Sequence, residues 1–188
     1  MFLSNKNTKG ALLAGTGFLV FFLYYLILVF SGWGEITGLT LGVFFTKVIL
    51  QQITTGFYEE LNYRFLLLEG LKSTKNDTVT KVVGVLISSI LFGLLHCIGG
   101  WNTYTFLQTG AIGFAFAVIF VKSGNILIPM ILHFVYDFFA KTVAYMNWKH
   151  TAVFDGLNSV FEIMLAAMFV ISAVILILPC NGLRAREQ

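Results

Sequence analysis

Long apolar runs, separated by short polar stretches, dominate the chain. A helix crossing a bilayer needs about 20 largely apolar residues. Six runs meet or approach that length, at residues 11–33, 38–71, 82–98, 104–121, 126–145 and 161–178. The second is too long for one perpendicular crossing, so it is expected to tilt, to break near Gly56 or to run past the membrane surface. The first follows Lys6 and Lys9 in the manner of a secretory signal. Its apolar core exceeds the usual signal length of about 7–15 residues and no A-x-A site follows, so a retained span is expected. The pattern predicts an all-α fold, a polytopic transmembrane helical bundle of about six spans. Residues 1–188 are read as a single transmembrane domain with short loops.

Composition supports this choice of solvent. The chain is 57% hydrophobic and 11% charged, with a mean hydropathy of +0.85, whereas a soluble domain is about 25% charged. The net charge of +3 calls for no nucleic-acid partner, because the excess lies in the flanks of the spans. With the N-terminus in the cytoplasm, Lys6, Lys9, Lys72, Lys75, Lys81, Lys122, Arg184 and Arg186 fall inside, leaving Lys141 and Lys149 in outer loops. Both termini are then expected to be cytoplasmic. Cys97 and Cys180 have no metal or redox spacing and read as buried apolar residues. Cys97 follows His96, but neighbours on a helix point about 100° apart, which argues against a Cys–His nucleophile pair.

Against this background the stretch TTGFYEELNYRFLLLEG stands out, since it sets Glu59, Glu60 and Arg64 in a lipid-facing run. An ionisable group at mid-membrane costs from about 2.5 to more than 10 kcal/mol, so such groups face the bundle interior and find partners. Glu60 and Arg64 are spaced i,i+4 with the acid first, which is the favourable order for an ion pair. That pair is structural and accounts for two of the three charges. Glu59 points about 100° away from it, with Tyr63 as its nearest polar neighbour along the helix, and needs partners from other helices.

Two other spans supply them. His96 interrupts the third run, and His133 and Asp137, again four apart, interrupt the fifth. His150 lies in a polar loop and reads as solvated. Counted at about 1.5 Å per residue from the flanking lysines, Glu59, His96 and His133 reach a similar depth. Each histidine alone is as well explained by a hydrogen bond to a backbone carbonyl. Glu59, His96, His133 and Asp137 together are the parts of a general acid/base site or of a metal site. As a metal site, Glu59, His96 and His133 would be the zinc ligands, although HExxH is absent. The metal-free reading, with no cofactor, is preferred. Buried Glu, His and Asp also mark proton-coupled transporters, and a non-catalytic immunity or signalling protein is a further alternative.

Three short motifs carry a resemblance. EELNYR at 59–64 is similar to EExxxR, FGLLH at 92–96 to FxxxH, and HFVYD at 133–137 to Hxxx(N/D), in that order on successive spans. Over roughly residues 38–141 the chain resembles the CAAX protease and bacteriocin-processing (Abi) family, related to the type II CAAX prenyl endopeptidases. The resemblance implies an intramembrane endopeptidase acting on a hydrophobic or lipidated peptide or protein, in a bacterial plasma membrane. It implies that Glu59 is the general base activating water with His96, that His133 and Asp137 stabilise the oxyanion, and that Glu60 and Arg64 hold the helix. Asp137 departs from the Asn often found there, since an ionised carboxylate accepts hydrogen bonds and cannot donate one.

Overall fold

The computed structural model describes residues 8–31, 34–71, 78–148 and 151–178. Lys6, Lys72, Lys75, Lys149, His150, Cys180, Arg184 and Arg186 lie outside the described residues, as does the side chain of Lys9. The described residues form six helices: α1 (Thr8–Phe30), a long α2 detailed below, α3 (Thr78–His96), α4 (Thr103–Ser123), α5 (Leu127–Ala144) and α6 (Thr151–Ile177). The all-α expectation holds. Among the described residues α3, α4, α5 and α6 are long and apolar enough to cross a membrane. The described apolar stretch of α1, Gly15–Phe30, is shorter, and α2 is interrupted by its own polar residues.

The bundle is organised around α4. Its second half, Ile112–Phe120, is buried at every position, the signature of a helix that is apolar all round and enclosed by others. Both its ends are well made: Asn102 Oδ1 accepts from the Thr105 N–H at 2.9 Å, and Gly124 takes a left-handed φ of 66° just past the last turn. Phe18 of α1 stacks on Phe116 of α4 with centroids 4.6 Å apart, and Phe21 meets Tyr136 of α5 and Phe161 of α6 edge-on. These ring contacts tie α1 to the central helix and to α5 and α6. At the other end of α4, Lys122 is buried and its ammonium donates to the Leu178 carbonyl at 2.8 Å. The ends of α4 and α6 therefore share one end of the bundle.

The helix α2 does not break at Gly56. It runs as abutting segments with helical backbone angles throughout: Leu41–Val43, a π-helical Phe44–Leu50, an α-helical Gln51–Glu60, a π-helical Leu61–Leu66 and Leu67–Gly70. Thr40 caps its start, its hydroxyl accepting from the Val43 N–H. Gly56 is instead a packing point. A Cβ there would meet the Phe134 backbone nitrogen at 3.2 Å and His133 Cβ at 3.6 Å, so only glycine lets α2 lie this close to α5. The two π segments flank the glutamates, and such insertions, which re-aim side chains, recur at functional sites.

The apolar periodicity also does not reveal a small clip at the opposite end of the bundle. Strand β1 (Gly34–Ile36) pairs antiparallel with β2 (Met146–Trp148), Glu35 facing Asn147, and Thr37 N–H donates to the Tyr145 carbonyl at 2.8 Å. Three-residue strands have too short a pattern to be read from sequence.

Candidate active site

The charge cluster on α2 is assembled from its most buried members outward. Glu60 and Arg64 are both fully buried, with Arg64 Nε 3.1 Å from Glu60 Oε2. This is a close ion pair whose N–H is not aligned on the carboxylate. The guanidinium gains further support from α3 and α4. It lies 4.4 Å from the Phe92 ring centroid, and Nη2 donates to the Gly113 carbonyl at 3.1 Å. A Cβ on Gly113 would come within 2.8 Å of the Phe92 ring, so the glycine admits both the ring and the arginine. Cation–π contact strengthens where water is excluded, and here all partners are buried.

Glu60 is more than a partner for arginine. Its other oxygen, Oε1, accepts from His133 Nδ1 at 2.8 Å. A chain Arg64–Glu60–His133 thus links α2 to α5 and fixes the imidazole. Because an ionised carboxylate only accepts, this bond places a proton on Nδ1 and turns Nε2 towards the remaining two acids. Nε2 is 3.5 Å from Asp137 Oδ2 and 3.8 Å from Glu59 Oε2. The ring is stacked on Phe116 at 4.8 Å and meets the edge of Phe92 at 5.9 Å. Glu59 and Asp137 keep modest exposure, 18% and 19% of their side chains against 5% for His133. Glu59 Oε2 has no hydrogen-bond partner among the described residues.

His96 is held differently. It is the last residue of α3, it is exposed, and its Nδ1 is 2.8 Å from the carbonyl of Phe92, one turn back in its own helix. Donation from Nδ1 leaves Nε2 as an acceptor. The residue lies within electrostatic range of Glu59 and Asp137. Its direct contacts, however, are with Phe92, whose ring is centred 4.5 Å away. The backbone bond anticipated as the bland reading of a lone histidine is present, and it coexists with proximity to the cluster.

The structure therefore brings Glu59 and Asp137 each within 4 Å of a single ring nitrogen, Nε2 of His133, and sets His96 at the rim. Sequence spacing identified the Glu60–Arg64 pair but not the Glu60–His133 bond, whose partners are 73 residues apart. It also left Phe92 without a task, although that residue opens the FxxxH motif. Among the described residues no group of three or more His, Cys, Asp or Glu is disposed to hold a metal ion. Cys97 is buried, with Sγ 3.5 Å from the Asn102 carbonyl.

Comparison with curated proteins and with solved structures gave no match. A family model, Type II CAAX prenyl endopeptidase Rce1-like, matches residues 41–139, just over half of the 188-residue chain. The match begins with α2 and ends in α5, enclosing Glu59, Glu60, Arg64, Phe92, His96, His133 and Asp137. The chain, an integral membrane protein, belongs to the Rce1-like family of type II CAAX prenyl endopeptidases.

Proposed function

We propose that the chain is a metal-free intramembrane endopeptidase of the CAAX type, in which Glu59 is the general base and His133 the principal oxyanion donor. The observation that carries this reading is the pairing of Glu59 Oε2, which has no other partner among the described residues, with His133 Nε2 at 3.8 Å. Between such groups, water attached to the carboxylate faces a carbonyl polarised by the imidazole.

In this scheme Glu59 takes a proton from water as the oxygen attacks the carbonyl carbon. Negative charge then develops on the former carbonyl oxygen, where a donor held in a dry site is worth far more than in bulk water. Nε2 of His133 donates there when the ring is doubly protonated, the form that also donates from Nδ1 to Glu60. Collapse of the tetrahedral intermediate breaks the C–N bond, and the proton held by Glu59 passes to the leaving amine. His96, at the rim, assists Glu59 through its acceptor Nε2. Asp137 orients His133, while Glu60 and Arg64 act as positioning residues.

The substrate is a hydrophobic or prenylated protein or peptide, as the family implies, and the host is a bacterial plasma membrane with both termini cytoplasmic. The test compares membrane-peptide termini by mass spectrometry in matched cells expressing wild type or Glu59→Gln. New ends in wild type only are expected. Identical profiles from two equally folded proteins, with a prenylated reporter present, would count against the proposal.

A further inference from the structure

A cavity of about 450 Å³ opens between α1, α4, α5 and α6 at the end of the bundle closed by the β clip. On α5 it is lined by Val143 and by two small residues, Ala140 and Ala144. With His133 and Asp137 the two alanines fall at positions i, i+4, i+7 and i+11, one stripe of the helix. The cavity thus lies one to two helical turns along α5 from the acid–imidazole cluster, on the same stripe, and the two small side chains leave it room. Opposite them stand Tyr25, Tyr104, Gln108 and Asn158. Tyr136, the neighbour of Asp137, meets the Tyr25 ring edge-on with centroids 5.9 Å apart, so this part of the wall packs on the same helix. No charged side chain lines the cavity among the described residues.

We propose that this cavity is a subsite of the peptidase that takes an uncharged peptide segment flanking the scissile bond, an assignment that rests on the protease reading above. Its volume falls in the range of about 300–1,000 Å³ that ligand pockets occupy. An extended peptide presents a donor and an acceptor at each residue, which neutral hydroxyl and amide side chains satisfy in either sense. A carboxylate or ammonium placed there would lose its hydration without gaining a counter-charge. Ala140, nearest to Asp137 along the stripe, is the specificity-determining position. The wall on α1 and α6 comes from helices outside the family-matched segment, so this subsite is a property of the chain beyond its shared core.

The experiment uses full-length protein in nanodiscs and a synthetic S-farnesyl peptide carrying a benzophenone side chain, placed in turn on each residue adjoining the prenylated cysteine. Wild type is assayed for cleavage, and Glu59→Gln is irradiated with the peptide and digested. Crosslinks within 24–28, 104–108 or 140–146 are expected from at least one probe position. Ala140→Leu is expected to suppress those crosslinks and to raise KM about tenfold, with kcat little changed, as a filled pocket does. An aspartate in the crosslinking segment of the peptide should raise KM similarly. If wild type cleaves the peptide but crosslinks map elsewhere, the subsite is overturned while the protease reading stands. If folded wild type cleaves no position of the series, that reading falls and the subsite with it.

Discussion

His133 and His96 are the two imidazoles picked out by the family motifs, and the molecule holds them in opposite ways. His133 sits mid-helix, buried, with one nitrogen bonded to Glu60, the other facing Glu59 and Asp137, and a Phe ring stacked on its face. His96 closes α3, is exposed, and is restrained by its own helix through the Phe92 carbonyl. Preorganised electrostatics require the first kind of setting, because a donor that stabilises developing charge must not reorganise as the charge appears. A proton acceptor at a rim tolerates the second. One ring is therefore expected to couple catalysis to stability, the other to separate them.

The largest effect comes from breaking the clamp behind His133. Arg64→Leu leaves Glu60 buried without its cation, and loss of one partner of a buried pair typically costs about 3–5 kcal/mol. Thermal or denaturant unfolding in detergent should register that loss, together with loss of peptidase activity. The double variant Glu60→Leu/Arg64→Met sharpens the point. Replacing both charges with apolar groups is often neutral, so stability should return while activity does not, because His133 has lost the acceptor that orients it. Recovery of activity in the double variant would show that the clamp is only structural.

His133→Ala comes next. If His133 is the oxyanion donor proposed above, its removal should cost about 10²–10³ in kcat, and leaving Glu60 Oε1 without its partner should cost about 1–3 kcal/mol of stability. His96→Ala, by contrast, should lower kcat by about 10², the low end for acid–base assistance, with stability changed by no more than about 0.5 kcal/mol. Rate and unfolding measured on both variants place them on a common scale. A His96 variant as destabilised as His133→Ala would erase the contrast.

Which of these features sequence discloses follows from their range. Glu60–Arg64 is a local pair, and an i,i+4 spacing in an apolar run announces it. The six helices are legible for the same reason, since lipid demands long apolar segments whatever their neighbours. The Glu60–His133 bond depends on α2 and α5 packing at Gly56, where a Cβ would strike the Phe134 backbone. In sequence that glycine resembles a helix breaker, and only the neighbouring helix reveals it as a contact. The π segments around Gln51–Glu60 leave no compositional trace, yet they help set where Glu59 and Glu60 point. Counting residues assigns His96 a depth, but a count does not say that its helix ends there.

Asp137→Asn provides the finest test of the comparison. The Asp137 carboxylate is 3.5 Å from His133 Nε2, near the proposed position of the oxyanion. In the proposed scheme its charge there opposes the one that develops, offset by the imidazolium it orients. An asparagine amide of the same shape donates a hydrogen bond and carries no charge. It would weaken the orienting contact with His133 while adding a second donor to the oxyanion. These opposed changes should leave kcat within about threefold of wild type, less than 1 kcal/mol in the barrier. A fall of tenfold or more at unchanged stability would mean that the carboxylate charge itself is required, and that His133 depends on Asp137 as well as on Glu60.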